Sequence, residues 1–370
     1  MLFKDIVGQN GVKTHLRHTA SEGRVAHAQL FLGTEGSGNL PLALAYAQYV
    51  LCSNPQAEEA CGACKHCKKA SKLIHPDLHF SYPTVGAKAL STEFLPQFRE
   101  AIAQNPYMTD YDWVQKIGGG ENKQGNITAA ECLDIVKKLN LKSFENEYKI
   151  LILWMPEYLG KEGNRLLKLI EEPPENTLFI LVATQEMLIL NTIRSRCQLV
   201  KINPIADADV IHALQTKYYL PENQAKTVGF LAAGNYHEAM NLMKTSNENL
   251  INDFLKWFRL AYLGKADEML RWSEEQAKIG REPFKHFLQY VLFFLREFSV
   301  QLMTDAPSQR LREDEQQAAE KMKAVISYDK LMPIASLIDE MQFGIDRKAN
   351  MKILLMSACI RLNRLLHGAI

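Results

Sequence analysis

The sequence predicts an α/β domain built on a parallel sheet, followed by an all-helical C-terminal half, and three observations predict it. A short apolar strand, QLFLG at 29–33, runs through a glycine turn into the apolar helical stretch LPLALAYAQYVLC at 40–52, the strand–loop–helix order of mononucleotide-binding folds. Two further runs, YKILILW at 148–154 and TLFILVAT at 177–184, are apolar without alternation, as parallel strands covered on both faces are. Beyond Pro204 such runs stop and amphipathic patterns take over: LINDFLKWFRLAYL, PFKHFLQYVLFFLREFSVQLM and MKILLMSACIRLNRLL.

The remaining elements follow in order. Residues 9–23 carry apolar positions at helical spacing and end at Gly23, so they predict a helix. Pro41 is tolerated in the first turn of the helix after the glycine loop. The stretch from Pro83 to Gly125, with GGG at 118–120 and ENKQG at 121–125, reads as partly irregular, an elaboration of the domain rather than its core. Within it, the extra material from about 88 to 125 is expected to be either a solvent-facing loop or a docking surface. TAAECLDIVKKLNL at 128–141 predicts a helix, 206–243 holds short helical patterns, and the charged run at 309–322 reads as a solvated helix face or a linker. No internal repeat is present.

Composition narrows the function classes. Of 370 residues, 43 are basic and 42 acidic, a formal charge of +1, which excludes a whole-surface polycation gripping nucleic acid by counterion release. The N-terminus MLFKDIVGQNGVKTHLRH lacks the apolar core of a signal peptide. The longest apolar run, FLQYVLFFL, falls far short of the ~20 residues of a membrane helix, so the expected location is cytoplasmic. Seven cysteines, four of them within 52–67, suit a metal site better than a disulfide framework.

Those four are Cys52, Cys61, Cys64 and Cys67. Two C-x-x-C steps share Cys64, and Cys52 closes a tetrahedron from the end of the preceding helix, which describes a structural zinc site with no open position. The alternative is a loop of free thiols. His66 and His75 are spare candidates that an all-cysteine site does not need, and Cys132, Cys197 and Cys359 read as packing residues.

The glycine loop FLGTEGSGNL keeps Gly33, Gly36 and Gly38 but has Asn39 and Leu40 where a phosphate-binding loop has Lys and then Ser or Thr. Asn39 cannot neutralise phosphate, and Leu40 offers no oxygen to Mg²⁺. The second strand ends in Trp154 and Met155 where an ATPase places carboxylates, and Glu157, two positions late, reads as a solvated turn residue. Phosphate cradle and metal carboxylates fail together, so no bound ATP and no hydrolysis are expected. Downstream, NTIRSRCQ at 191–198 carries Arg194 and Arg196, which either pair with local carboxylates or serve a site past the sheet edge.

Together, FKDIVGQ at 3–9, HAQLFLG at 27–33, the four-cysteine insert, HPDLH at 75–79, LLKLIEEPPENTLFILVAT at 166–184 and TIRSRC at 192–197 resemble the bacterial clamp-loader AAA+ group over about the first 240 residues. The resemblance implies three domains: an AAA+ core at 1–204 carrying the zinc module, a small helical lid at 205–245, and a helical collar at 246–370 that assembles with partner subunits. It implies that Ser195, Arg196 and Cys197 form a motif whose arginine, Arg196, reaches ATP on a neighbouring gamma/tau subunit; Arg194 is the runner-up. His237 in AAGNYHEAM stands where the family's lid offers an arginine to the γ-phosphate, and Thr184 at a sensor position is retained without an expected role. The altered loop favours the group's non-hydrolysing member, which joins gamma/tau and delta subunits in a cytoplasmic replisome to load a sliding clamp on primed DNA. The competing readings are a divergent ATPase of gamma/tau type and a DNA-binding protein using its zinc cluster.

Overall fold

A computed structural model describes residues 1–119, 125–245 and 250–368. The chain divides into two compact units, one formed by Met1–Ala213 with Ala233–Glu238, the other by Leu214–Ala232 with Ala239–Ile370.

The first unit contains α1 (Asn10–Ser21), β1 (Ala28–Gly33), α2 (Asn39–Val50), α3 (Lys65–Ser71), β2 (Leu78–Ser81), α4 (Leu95–Gln104), α5 (Asp110–Lys116) and α6 (Ala129–Leu139). It continues through β3 (Lys149–Trp154), α7 (Leu167–Glu171), β4 (Thr177–Ala183), α8 (Asn191–Arg194) and β5 (Gln198–Ile202). The strands pair in parallel in the order β2-β3-β4-β1-β5. Successive side chains of a strand point to opposite faces, so each uninterrupted apolar run feeds two cores. Ile150, Ile152 and Trp154 of β3 join Phe31, Leu42 and Tyr46 on one face, while Leu151 and Leu153 join Cys132, Ile135 and Leu139 of α6 on the other. β1 lies between β4 and β5, and this places the glycine loop at the carboxyl end of the sheet, where doubly wound folds bind ligands.

Strands β2 and β5 are additions to the sequence reading. Both lie at sheet edges; β2 has four residues, and β5 exposes Gln198, Leu199 and Lys201, so neither carries an apolar run.

The stretch 83–125 is partly irregular, as expected, but it belongs to the core rather than being an elaboration outside it. It opens with Thr84 bridged antiparallel to Asn126 and forms α4 and α5, whose Phe98 and Trp113 are fully buried in the main core. Phe98 stacks on Tyr82 at 4.1 Å and meets the edge of Trp113 at 5.4 Å, and the indole N–H of Trp113 donates to Pro83 O. The glycine and polar run at 120–124 lies outside the described residues.

The second unit is helical. α9 (Asp207–Tyr218) and α11 (Tyr236–Thr245) each begin in the first unit and end in the second, which also holds α10 (Glu222–Ala232), α12 (Leu250–Leu263), α13 (Ala266–Ile279), α14 (Arg281–Thr304), α15 (Glu313–Met322), α16 (Tyr328–Asp346) and α17 (Met351–His367). Trp257 and Trp272 stack at 5.7 Å, and Phe254, Phe294 and Leu362 complete one core. The apolar stripe at 283–303 is largely consumed inside this unit, through Phe284, Leu288, Val291, Phe294 and Phe298. Of the charged run at 309–322, Glu313–Met322 form a helix with one buried face, not a linker: Glu315 is buried and accepts from the Tyr290 hydroxyl (2.7 Å). No helix among the described residues is long and apolar enough to cross a membrane.

Phe98→Ala removes a fully buried ring from the main core and should destabilise the first unit by about 3–5 kcal/mol, read as a lowered urea midpoint at unchanged slope. A change below about 0.5 kcal/mol would return 83–125 to the status of an appended loop.

Candidate functional site: a closed glycine loop, a thiol cluster and an arginine pair

The glycine loop spans the end of β1 and the start of α2. A Cβ on Gly36 would lie 1.8 Å from Asn235 Oδ1, and a Cβ on Gly33 would lie 2.5 Å from Ile202 O, so close packing alone requires both glycines. Gly38 immediately precedes α2. Asn39 is buried, and its Nδ2 donates to Gly33 O (2.6 Å) and Ala183 O (3.0 Å), tying β1 to the end of β4. Its Oδ1 lies 2.9 Å from the Ser37 hydroxyl. The side-chain amide of Gln9 donates to Ser37 O and Asn203 O, so the loop is held from both sides. Leu40 is buried in the main core.

What remains above this loop is a cavity of about 30 Å³, lined by Gly38, Leu40, Tyr107, Met108, Trp154 and Thr184 among others. Sites that hold a ligand of nucleotide size run to ~300–1,000 Å³. Trp154 is buried, and Met155 turns the chain with φ of 59°. Glu157, expected in solvent, is instead partly buried and accepts from the backbone N–H of Thr184 (2.6 Å) and Gln185 (2.8 Å). Burial raises its carboxyl pKa, and these donors offset part of the rise. Thr184 is held through its amide, as a strand-end residue.

His237 is buried; its Nδ1 accepts from Asn105 Nδ2 (3.1 Å), which puts the ring proton on Nε2, 3.4 Å from Asp112 Oδ2. The surroundings are acidic. Burial, followed by the charges of Asp110, Asp112 and Glu238, pushes the Glu35 carboxyl above its ordinary range, with His237 opposing. Such a set of carboxyls repels a triphosphate.

The four thiols lie at the end of α2 and the start of α3. Their sulfurs are within 4.8 Å of one another, and Cys61 Sγ is 3.9 Å from Cys67 Sγ. Zinc–sulfur bonds of ~2.3 Å in a tetrahedron set sulfurs about 3.8 Å apart, so this donor set fits one metal ion. The amides of Cys61, Cys64 and Cys67 donate to the sulfurs of Cys52, Cys61 and Cys64, each at 3.3 Å, which favours thiolates. Burial acts to raise Cys64, but the donors around it bring it down to about 6, whereas burial holds the Cys52 and Cys67 thiols above their ordinary range.

His66 and His75 form a second cluster with Glu145. His75 Nδ1 accepts the Asp77 N–H (3.1 Å), so its proton sits on Nε2 and is donated to His66 Nδ1 (2.7 Å). A metal on Nε2 would have to displace that proton while the Asp77 amide occupies the other nitrogen. Moreover, Glu145 pairs with Lys69. The histidines therefore tie α3 to the entry of β2 rather than supplying ligands.

Arg194 and Arg196 both have local partners. Arg196 pairs with Glu171 and donates to Thr192 O (2.8 Å), and Arg194 meets Glu186 (3.2 Å) and Asn191 Oδ1 (3.0 Å). Ser195 donates to Thr192 O, and Cys197, its thiol raised by burial to about 11, packs against the α6 side core. Cys132 and Cys359 are buried, as expected of packing residues.

A five-stranded parallel core with a glycine loop at the carboxyl end of the sheet, next to a four-thiol module, defines an α/β protein of the mononucleotide-binding fold class. Residues 8–206 match the family described as "DNA polymerase III, delta subunit". The chain belongs to this family, the clamp-loader family of DNA polymerase III. It is 24% identical to the Escherichia coli K12 DNA polymerase III subunit delta′ over 228 residues, 61% of this chain and 57% of that one. It is 28% identical to the Bacillus subtilis delta′ over 190 residues, 51% and 46% of the two chains. It is also 27% identical to the gamma subunit of Buchnera aphidicola from Acyrthosiphon pisum over 249 residues, 65% and 58%. The chain thus spans about half the length of the relatives it matches.

Sequence reasoning singled out Asn39 for what it lacks; its two carbonyl bonds emerge only when β4 is placed beside β1. Asn39→Ala leaves both carbonyls and Ser37 without this partner and should cost about 1–3 kcal/mol in thermal or urea unfolding. An Asn39→Ala chain as stable as the parent would reduce Asn39 to a mere deletion of lysine.

Proposed function

We propose that the chain is the delta-prime member of its family, a subunit that neither binds nor hydrolyses ATP and completes a clamp-loader ring with gamma/tau and delta subunits. The observation that carries this reading is Asn39: at the lysine position stands an amide whose donors are spent on Gly33 O and Ala183 O. The small cavity, the buried Leu40 and the carboxyls at Glu35, Asp110 and Asp112 support it. The ring, its sliding clamp and its primed DNA belong to this proposal, as does the division into a core at 1–204, a lid at 205–245 and a collar at 246–370. On the collar, Leu270, Ile353 and Ile360 stay exposed beside Arg361, a surface suited to a partner helix.

Chemistry is then supplied to a neighbour. Arg196, in the motif Ser195–Arg196–Cys197, acts as a trans arginine finger on ATP held by gamma/tau, neutralising charge on the transferring phosphoryl group. Its present pairing with Glu171 is exposed, and such pairs are worth only ~0–1 kcal/mol, so exchange for a phosphate costs little. The thiol cluster of Cys52, Cys61, Cys64 and Cys67 holds a structural Zn²⁺, which closes the loop between α2 and α3 and takes no part in hydrolysis.

In a ring reconstituted with gamma/tau and delta, Arg196→Ala should lower clamp- and DNA-stimulated ATPase by on the order of 10-fold or more with assembly intact, and Arg194→Ala should do less. Hydrolysis by the Arg196→Ala ring at the parent rate rejects the trans role. Turnover by the isolated chain with Mg²⁺ would instead favour a divergent gamma/tau-type ATPase; a gamma subunit is also among its relatives.

Freshly purified chain should carry about one equivalent of zinc, and Cys67→Ser should hold less than half of that and expose the 52–75 segment to proteolysis. Metal-free parent protein with an equally protected segment would refute the zinc assignment.

A further inference from the structure

The loss of lysine and hydroxyl explains why phosphate and metal are not held, but not why the space above the loop is full. We propose that Tyr107, delivered by the 83–125 stretch, is a built-in plug whose ring occupies the volume where a nucleoside would lie. The inference rests on the nucleotide-free reading above and adds a second barrier, independent of positions 39 and 40.

Phosphates bind at the N-terminus of the helix that follows such a loop, here α2, so a nucleoside must extend from there across Gly38. Tyr107 is buried in that path. Its Cε1 lies 3.5 Å from where a Cβ on Gly38 would stand, and Ile6 Cγ2 lies 3.7 Å from the same point. The hydroxyl accepts the buried N–H of Val7 (2.9 Å), so this backbone donor is satisfied by the plug's own side chain.

The ring is fixed from three sides. It meets Tyr236 edge-on at 4.8 Å, and the Tyr236 N–H donates to Gly36 O of the loop (3.0 Å). The Tyr107 amide donates to Asn105 Oδ1 (2.9 Å), and the other end of Asn105 bonds His237. Met108 is also buried, and it lines with Tyr107 the cavity left over, the one of about 30 Å³. The same stretch carries Asp110 and Asp112, so one insertion brings both the steric and the charged obstacle.

The test restores the phosphate groups with and without the ring. The full chain is titrated with a fluorescent ATP analogue and Mg²⁺ as parent, as Asn39→Lys/Leu40→Thr, and as that double variant carrying Tyr107→Ala or Tyr107→Phe. The parent, the double variant and the Tyr107→Phe triple should not bind, and the Tyr107→Ala triple should bind at least about tenfold more tightly than the double. Equal binding by the double variant and the Tyr107→Ala triple overturns the plug. So does no binding by a Tyr107→Ala triple that keeps its circular dichroism and cooperative unfolding. If that triple does not fold, Tyr107→Leu, which retains an apolar side chain against Tyr236, carries the same expectation. Binding by the parent chain defeats the nucleotide-free reading itself, an outcome separate from the plug's own failure.

Discussion

Two hydrogen bonds from one side chain set the character of the first unit. Asn39 Nδ2 joins Gly33 O at the end of β1 to Ala183 O at the end of β4, the two strands at the middle of the sheet. An amide there satisfies buried carbonyls and carries no charge, so the site need not keep water or phosphate beside it. Once those carbonyls are internally paired, the loop can be covered. Asn235 and Tyr236 lie against Gly36, Leu40 turns into the core, and Glu157 caps the chain after β4. The fold keeps its glycines because the backbone still has to make this turn, whatever the loop binds.

The thiol module is anchored by a related economy of polar groups. Asp77, next to the module, accepts the amides of Phe144 (2.5 Å), Glu145 (2.8 Å) and Asn146 (2.9 Å). Burial works against its charge, yet these three donors hold its carboxyl below the ordinary range. Its own amide orients His75, and His75 in turn holds His66 on α3. The segment between α2 and β2 is thus tied both by its sulfurs and by this chain of oriented bonds, which suits a structural rather than a reactive role.

The arginines follow the opposite logic. Arg194 and Arg196 sit at the surface with exchangeable partners, where a screened ion pair adds little to stability. Asn39, Asp77 and His75, whose work lies within the unit, are buried and hydrogen-bonded there; groups proposed to work on a neighbour are only loosely committed. The helical unit shows the same division, since Trp257, Trp272 and Phe294 are spent on its own core while Leu270, Ile353 and Ile360 are not.

The sequence by itself determined the parallel core, because β1, β3 and β4 are covered on both faces and therefore read as unbroken apolar runs. It determined the thiol cluster too, since the spacing of Cys61, Cys64 and Cys67 is local geometry. The loss of phosphate and metal groups at 39 and 40 was legible because the groups themselves are missing. Tertiary structure alone decided the rest. Edge strand β5 has a solvated side and β2 has only four residues, so neither has a run to announce it. The polar spacers of 83–125 hide Phe98 and Trp113, whose burial depends on Tyr82 and Pro83. Glu157, Asn39 and Tyr107 find their partners across 27, 144 and 100 positions of chain. Such pairings are set by strand order and packing, which bring distant segments together in ways no local spacing encodes.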